Sequence, residues 1–518
     1  MSDPVQNTAR QRMLKLGTRR SPLAVAQSRL IKAALEADHP TVAVKIIEFV
    51  TRGDKDQQTP LTDVKDPNFF SAELDTALLN GDIDFCVHSL KDLPLVRPEG
   101  ISIAAIPERE NPRDAVLFRA DVIQKIRRGE PLKIGTSSAR RGAGIQRFLP
   151  MALPHDSNTA IIEPKAIRGP VDQRLLRLKD NADDALDGVV LAMAGLNRLF
   201  NDVDGRAIIE PLLKNLRWMV LPISEFPCAP GQAALAIECR HDDAETRLLL
   251  SSLLDEETAK IVMTERALLA DLDEEQRARY SATAILHPLL NVLLWINPGD
   301  QGGVYADTQL HWLAPVPPGK CKAFDEPLPE GFRQRRTLPV PADLSNKPAV
   351  FIAHHRALPE SGQPKLPERI WTSGIMSWEK LAARGIWIEG CAENLSFDSV
   401  KSELATAVLQ LPPLSKWIAL THADAESSWE SSGIGHVVST YRIETAELRP
   451  IELEDTLRAC SHFYWNSFNE YLAMEPMVPD HAHHACGAGK TLRQLQEYGV
   501  WTVDVFPSRK HWRKWINS

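Results

Sequence analysis

The hydrophobic pattern becomes regular at Leu14-Lys-Leu-Gly-Thr18, a short alternating run that reads as a strand. Arg19, Arg20 and then Ser21-Pro22 follow. Ser21 suits an N-cap, and Pro22 suits the first helical position, where its missing N–H costs nothing. Leu23, Ala26, Leu30, Ala34 and Leu35 recur at helical spacing, so the unit reads strand, tight turn, helix. The same unit returns at Leu132-Lys-Ile-Gly-Thr136, which runs into Ser137, Ser138, Ala139, Arg140 and Arg141. A second echo pairs Asp82-Ile-Asp-Phe-Cys-Val-His88 with Leu186-Asp-Gly-Val-Val-Leu-Ala192. The pattern predicts two related α/β lobes facing each other across a cleft. In such sheets ligands bind beyond the carboxyl ends of the strands, where helix N-termini offer free N–H groups to anions.

Further along, Thr246 to Leu272 has helical spacing, and Leu289 to Ile296 and Gln309 to Leu313 read as strands. From about Lys320 to Pro348 proline and charge dominate, as in a linker. Beyond it, apolar runs at Val350 to Ala353, Trp417 to Thr421, His436 to Val438, Phe463 to Trp465 and Val500 to Val505 alternate with helical stretches. This is the rhythm of another α/β module.

Length and composition narrow the picture. A chain of 518 residues exceeds a single core and points to about three or four domains. A net charge of -8 with 25% charged residues gives no reason to expect a nucleic-acid or anionic-membrane partner. The polar start from Met1 to Arg12, and the lack of any apolar run of about 18 residues, predict neither a signal peptide nor a membrane span. The expected compartment is the cytosol. Seven cysteines (86, 228, 239, 321, 391, 460 and 486) form no CxxC pair. Reduced thiols are expected, with neither a disulfide framework nor a metal site.

The arginines carry the chemical signal, because Arg19, Arg20, Arg140, Arg141, Arg168 and Arg174 fall where strands end. Guanidinium forks bind carboxylates bidentately, so six of them converging on a cleft fit a ligand with several carboxylates. A single arginine beside a turn is as readily a solvated surface charge. Lys91-Asp92 follows the strand ending at His88 and places a carboxylate at the lobe edge. There it can stabilise a developing cation and exchange a proton with a leaving amine.

A series of segments extends this reading: Leu16-Gly-Thr-Arg-Arg-Ser-Pro-Leu-Ala24, Val50-Thr-Arg-Gly-Asp54, Val87-His-Ser-Leu-Lys-Asp92, Glu108-Arg-Glu-Asn-Pro-Arg-Asp114, Gly135-Thr-Ser-Ser138, Arg140-Arg141, Ile167-Arg-Gly169, Leu191-Ala-Met-Ala-Gly195 and Pro230-Gly-Gln232. In order and spacing they resemble the successive signatures of hydroxymethylbilane synthase (porphobilinogen deaminase) over residues 13 to 320. The resemblance implies an enzyme of tetrapyrrole (heme) biosynthesis that condenses four porphobilinogen molecules into a linear tetrapyrrole with release of ammonia. It implies catalytic roles for Asp92 and Lys91. It also implies substrate- or cofactor-binding roles for Arg19, Ser21, Asp54, Ser137, Ser138, Arg140, Arg141, Arg168, Arg174 and Gln232. The architecture expected is α/β multidomain, with two periplasmic-binding-protein-like lobes. Lobe 1 is 13–110 with 218–243, lobe 2 is 111–217, and a small α+β domain spans 244–320. A linker at 321–348 then leads to a two-lobed α/β module at 349–518.

Two departures stand out. Where the family has a Gly-Gly-Lys-Gly-Leu-Phe lid, this chain reads Lys65-Asp-Pro-Asn-Phe-Phe70. After Glu265-Arg266-Ala267 the family reaches a cysteine that carries a dipyrromethane cofactor, whereas Gln276 stands at that position here. An amide cannot form the thioether, so covalent attachment is expected to be absent, and the chain is either inactive or holds its primer non-covalently. The C-terminal module weakly resembles uroporphyrinogen III synthase through Tyr464-Trp-Asn-Ser-Phe468 and His484-Ala-Cys-Gly-Ala-Gly-Lys-Thr491. A P-loop at Gly489-Lys490-Thr491 is rejected because His484 stands where its first glycine belongs. His481, His483, His484 and Cys486 read as a histidine-rich loop rather than converging metal ligands. Trp512 and Trp515, among the basic residues of the tail, are expected to pack on the domain surface.

The leading expectation is porphobilinogen condensation, coupled to the second half and to other tetrapyrrole-pathway enzymes as partners. The rivals are a non-catalytic descendant that binds pyrroles or a partner, and a generic oxyanion clamp.

Overall fold

The computed structural model describes residues 12–55, 69, 71–155, 159–179, 185–301, 304–326, 328, 332–445 and 451–518. The chain forms two units. The first comprises Met1–Leu149, Ile161–Ala284 and Trp295–Gln309, and the second comprises Pro150–Ala160, Ile285–Leu294 and Leu310–Ser518.

The first unit contains two five-stranded sheets of one design. In one, Arg12–Arg19 lies parallel between Val42–Phe49 and Phe85–Ser89, and Leu235–Arg240 enters antiparallel between Phe85–Ser89 and Ile101–Ala105. In the other, Leu132–Gly135 lies parallel between Ile162–Lys165 and Gly188–Ala192, and Asp114–Phe118 enters antiparallel between Gly188–Ala192 and Arg217–Val220. Each sheet takes its antiparallel strand from the chain that has just left the other sheet's edge, so the two lobes are joined by two crossings. The echoed segments are the equivalent strands. The return crossing follows Val220, and Arg217–Val220 stays in the second sheet, so the sheet continues past the expected lobe boundary at 217/218.

Alternation along Arg12–Arg19 places Leu14 and Leu16 in a core with Ile31, Leu35, Val42, Val44, Phe85 and Val87. Helix Pro22–Asp38 begins as its sequence demands, with the Ser21 side chain accepting the Ala24 N–H at 3.3 Å. The glycine of each echoed strand answers to space. Gly17 pairs with Cys86 and Gly135 with Val189. A methyl group at Gly17 would collide with Ile83, and one at Gly135 would come within 2.7 Å of Leu186 Cδ1. Ile83 and Leu186 each lie three residues before the glycine's strand partner, so the structural equivalence runs one residue out of step with the second echo as read from the sequence.

Beyond these lobes, the expected helical stretch is realised as Ala244–Leu250 and Glu256–Ala267, followed by the short helix Glu274–Arg279. Strands Asn291–Asn297 and Gln309–His311 lie where the pattern placed them, and Ser281–His287 adds a strand that the pattern did not mark.

The second unit has a six-stranded sheet in the order Arg333–Thr337, His436–Thr445, Ile418–His422, Val350–Ile352, Ile370–Thr372, Gly390–Cys391. Its four-stranded sheet runs Ala323–Phe324, His462–Trp465, His483–Gly487, Val503–Phe506. The 321–348 stretch, expected as a linker, therefore supplies an edge strand to each sheet. Arg333–Thr337, with three arginines in five residues, has the charged character that edge strands tolerate, and this imitates a linker in composition. Trp512 and Trp515 pack against Tyr464, Ala485 and Phe506 rather than lying on the surface, so helix Arg509–Ile516 belongs to a core. Among the described residues no helix is long and apolar enough to cross a membrane.

Gly135→Ala is expected to cost about 1–3 kcal/mol through overpacking against Leu186. Urea denaturation would show a lower midpoint at an unchanged slope, and an unchanged midpoint would refute the steric reading.

Candidate functional site

Strand Phe85–Ser89 ends in the single turn Leu90–Asp92, which brings Asp92 to an exposed position at the lobe edge. A cavity of about 90 Å³ opens beside it, lined by Arg19, Ser21, Ser71, His88, Ser89 and Asp92 among others. This is less than the several hundred Å³ of a typical small-molecule pocket and suits one carboxylate-bearing arm of a ligand. The turn is held from behind. Arg266 Nη1 donates to Leu90 O at 2.7 Å, and its Nη2 donates to Leu93 O at 3.1 Å and Pro94 O at 3.0 Å. Gly231, at φ +74°, lies against Leu90 where a side chain would crowd Leu90 Cγ at 3.2 Å.

Neighbouring Lys91 reaches Gln232 Oε1 at 3.3 Å, and burial lowers its ammonium from the ordinary lysine range while Asp92 opposes that shift. The other end of Gln232 donates to Pro112 O at 2.7 Å and Asp114 Oδ1 at 2.8 Å. Asp114 is the centre of this network. Arg140 Nη2 meets one of its oxygens at 2.7 Å, and Arg141 Nη2 meets the other at 2.6 Å. Burial opposes ionisation of Asp114, yet Arg141 and Arg140 more than reverse it and hold the carboxyl well below the usual carboxylate range.

Several of the sequence-based candidates already have protein partners. Arg140 and Arg141, 4% and 7% exposed, bind the buried carboxylate of Asp114, and Arg140 also lines a cavity with Gly142 and Tyr305. Gln232 is 1% exposed and bridges Lys91 to Asp114. Ser137 and Ser138 are engaged with backbone: Ser137 Oγ donates to Ile167 O at 2.5 Å and accepts the Ile167 N–H at 2.9 Å, while Ser138 Oγ accepts the Arg141 N–H at 3.4 Å. For Arg140, Arg141 and Gln232 the reason is burial, since a polar side chain buried at a strand end must satisfy the backbone and charges around it, whereas Ser137 and Ser138 are half-buried.

Arg168 and Arg174 differ. Both are half-buried, and the buried Nη1 of Arg168 has no hydrogen-bond partner among the described residues. Arg174 Nε donates to Gly169 O at 2.7 Å. Burial, then the like charges of Arg141 and Arg168, bring Arg174 down to about 10 against a counteracting pull from Asp92. Asp92, Arg141, Arg168 and Arg174 therefore share one electrostatic field. Arg19 is half-buried on the cavity wall, whereas Arg20 points out beside Glu48 at 3.8 Å. Asp54 lies in helix Arg52–Lys55, and the lid segment Lys65 to Phe70 lies outside the described residues except for Phe69.

Sequence reasoning missed the support behind the site. Arg97 ties Glu238 at 2.7 Å to Asp75 at 2.5 Å, and His88 Nε2 lies 3.5 Å from Glu238. Burial, reinforced by Arg97, lowers His88 to about 4. Cys86, His88 and Glu238 come close enough to hold a metal ion, but Arg97 already binds both oxygens of Glu238. A second buried pair, Arg109–Glu265 at 2.6 Å, also receives the N–H groups of Gly231 and Ala284. In the sequence, His88, Arg109 and Glu265 were marked by membership of the quoted segments, whereas Asp75, Arg97 and Glu238 carried no such signal.

The family model of the porphobilinogen deaminase dipyromethane cofactor binding domain matches residues 14–248. The porphobilinogen deaminase of Macrococcus caseolyticus is 40% identical over 263 residues, which is 51% of this chain and 77% of that protein. The Sorangium cellulosum enzyme is 38% identical over 273 residues, 52% of this chain and 82% of its own length. The chain belongs to the porphobilinogen deaminase family. That of Bacillus subtilis, 39% identical over 259 residues, covers 50% of this chain and 74% of the porphobilinogen deaminase. Members of this family are transferases of heme biosynthesis. Among solved structures, the methionine binding protein MetQ aligns with 49% of this chain and 96% of its own at 13% identity and a TM-score of 0.28. A periplasmic substrate-binding protein from Coxiella burnetii gives 50%, 97%, 14% and 0.27 in the same terms. Scores at this level carry no argument, and the relation of the two lobes rests on their matching strand orders.

Removing one member of the buried cluster strands a charge, at about 3–5 kcal/mol. Arg140→Leu and Asp114→Asn are therefore expected to lower stability by that amount. Because the folded Asp114 is depressed, its contribution is complete above the ordinary carboxylate range, near pH 4, and is lost as pH falls further towards its folded value. Acid titration of stability should be flatter in Asp114→Asn than in the parent. Equal slopes would remove Asp114 from the account.

Proposed function

We propose that the first unit condenses porphobilinogen head to tail into hydroxymethylbilane, with Asp92 as the catalytic carboxylate. The observation that carries this reading is the placement of Asp92 on a braced turn, beside a carboxylate-sized cavity and within the field of Arg168 and Arg174. As a substrate amine departs, positive charge develops on the pyrrole system, and a fixed carboxylate at the cleft edge stabilises it. The guanidiniums hold the acetate and propionate arms, and Lys91, tied through Gln232 to Asp114, keeps the turn in register. Arg19 and Ser21 line the place for one such arm.

The second unit takes the role of a uroporphyrinogen III synthase-like module acting on the linear product. Its support is a cavity of about 900 Å³ whose lining includes Arg333, Arg335, Arg356, Lys490 and Arg493 against the carboxylate of Asp398. Such a wall suits a ligand with many carboxylates. A cytosolic setting and contact with other pathway enzymes accord with this reading. The alternative, a descendant that binds pyrroles without turnover, is favoured by one observation, Gln276 at the family's cysteine position.

Incubation with porphobilinogen, following substrate loss and ammonia release, tests the first unit, and isomer analysis of the cyclised product tests the second. Asp92→Ala should reduce consumption by about 10²–10³-fold, the effect of removing one preorganised charge-stabilising group, with an unchanged melting temperature. Turnover equal to the parent's would eliminate the role of Asp92. Absence of turnover in the parent would favour the binding-only reading.

A further inference from the structure

The residues at the family's attachment position do not fit a covalently mounted cofactor. Gln276 is exposed at the start of helix Glu274–Arg279, and its amide is used in a capping box. Asp273 Oδ1 accepts the Gln276 N–H at 2.8 Å, and Gln276 Oε1 accepts the Asp273 N–H at 3.0 Å. Arg277 closes the turn onto Leu269 O at 2.9 Å. The segment is a self-satisfied helical cap rather than an open loop aimed at a ligand.

No other thiol of this unit substitutes for the missing one. Cys86, Cys228 and Cys239 are fully buried. Burial, with Asp114 adding to it, pushes Cys228 up to about 12, and burial pushes Cys239 up to about 11. A thiol at that level is ionised at neutral pH to about one part in ten thousand or less, and the thiolate is the nucleophile. Meanwhile the cleft retains cationic groups that its carboxylates compensate only in part, Asp92 opposing the burial and like charges at Arg174 without reversing them. Asp114 is taken by Arg140 and Arg141, Arg168 has a buried Nη1 without a partner among the described residues, and Arg174 is crowded by two like charges.

From these observations we propose that the first unit holds its pyrrole primer reversibly. A short oligopyrrole polycarboxylate would sit on Arg168 and Arg174 with no bond to the chain. This rests on the reading of the cleft as a pyrrole site. Its consequence is that primer exchanges with solution, so occupancy follows primer concentration instead of being permanent.

The test uses the full chain. Intact mass under denaturing conditions should equal that of the unmodified protein, and acid-precipitated, washed protein should give no pyrrole colour. A synthetic dipyrromethane bearing acetate and propionate arms should bind measurably by calorimetry. Arg168→Met should weaken that binding about ten- to a hundred-fold, the loss of one charge-assisted contact, at an unchanged melting temperature. A mass increment of two pyrrole units, with Cys321 as the first place to map it, would overturn the proposal while leaving the pyrrole reading of the cleft intact. Failure of the dipyrromethane to bind would also overturn it. If inorganic phosphate then bound in an Arg168-dependent way, the pyrrole reading of the cleft would fall as well.

Discussion

The first unit is organised around a fully buried carboxylate. Asp114 begins the strand that crosses from one lobe into the other, and it gathers Arg140, Arg141 and Gln232 about itself. Through Gln232 the network reaches Lys91, the residue before Asp92. A buried ion pair of this kind contributes little net stability compared with apolar packing, because desolvation offsets most of its attraction. Its value lies in direction. Two guanidiniums and an amide can satisfy one carboxylate in only a few arrangements, so the crossing strand, the helix Ala139–Ala152 and the 230–232 turn are mutually oriented by the same atom group.

The Arg109–Glu265 pair performs a parallel task on the other side of the turn. Glu265 receives the backbone of Gly231 and Ala284, and the adjacent Arg266 clamps the carbonyls of Leu90, Leu93 and Pro94. A single helix, Glu256–Ala267, thereby braces the turn carrying Asp92 and the turn carrying Gln232. Precision at an exposed carboxylate requires this support, since a short turn at a strand end has few contacts of its own to fix it.

The fold of the first unit was legible because its signals are local and repeated. Two copies of strand, glycine, turn and helix can be read directly, and their equivalence follows from Gly17 and Gly135 meeting Ile83 and Leu186 in the same way. The crossings were less legible: Val220 remains in the second sheet, and strand pairing over a hundred residues leaves no local trace. Arg333–Thr337 misled for a different reason, since an exposed edge strand and a linker select similar residues. In the site, residue type was readable and commitment was not. Arg140 and Arg168 look alike in a sequence, yet one faces Asp114 in the core and the other keeps a donor without a partner among the described residues. The partners that separate them, Asp114 in one case and none of the described residues in the other, lie far from them along the chain or are not supplied by it.

This difference explains how a family site can lose its anchoring thiol without losing its scaffold. The network at Asp114, the clamp by Arg266 and the serine bonds to Ile167 involve only protein atoms, so none of them depends on a mounted cofactor to be complete. Gln276 lies outside that network and satisfies its own helix end. The electrostatic demand of the cleft is separate again, because Arg168 and Arg174 remain crowded whether or not a ligand is tethered nearby. In the proposed reading, anion recognition by Arg168 and Arg174 and covalent attachment at position 276 fall on different residues with no shared hydrogen bond among those described. A substitution at one leaves the physical basis of the other in place.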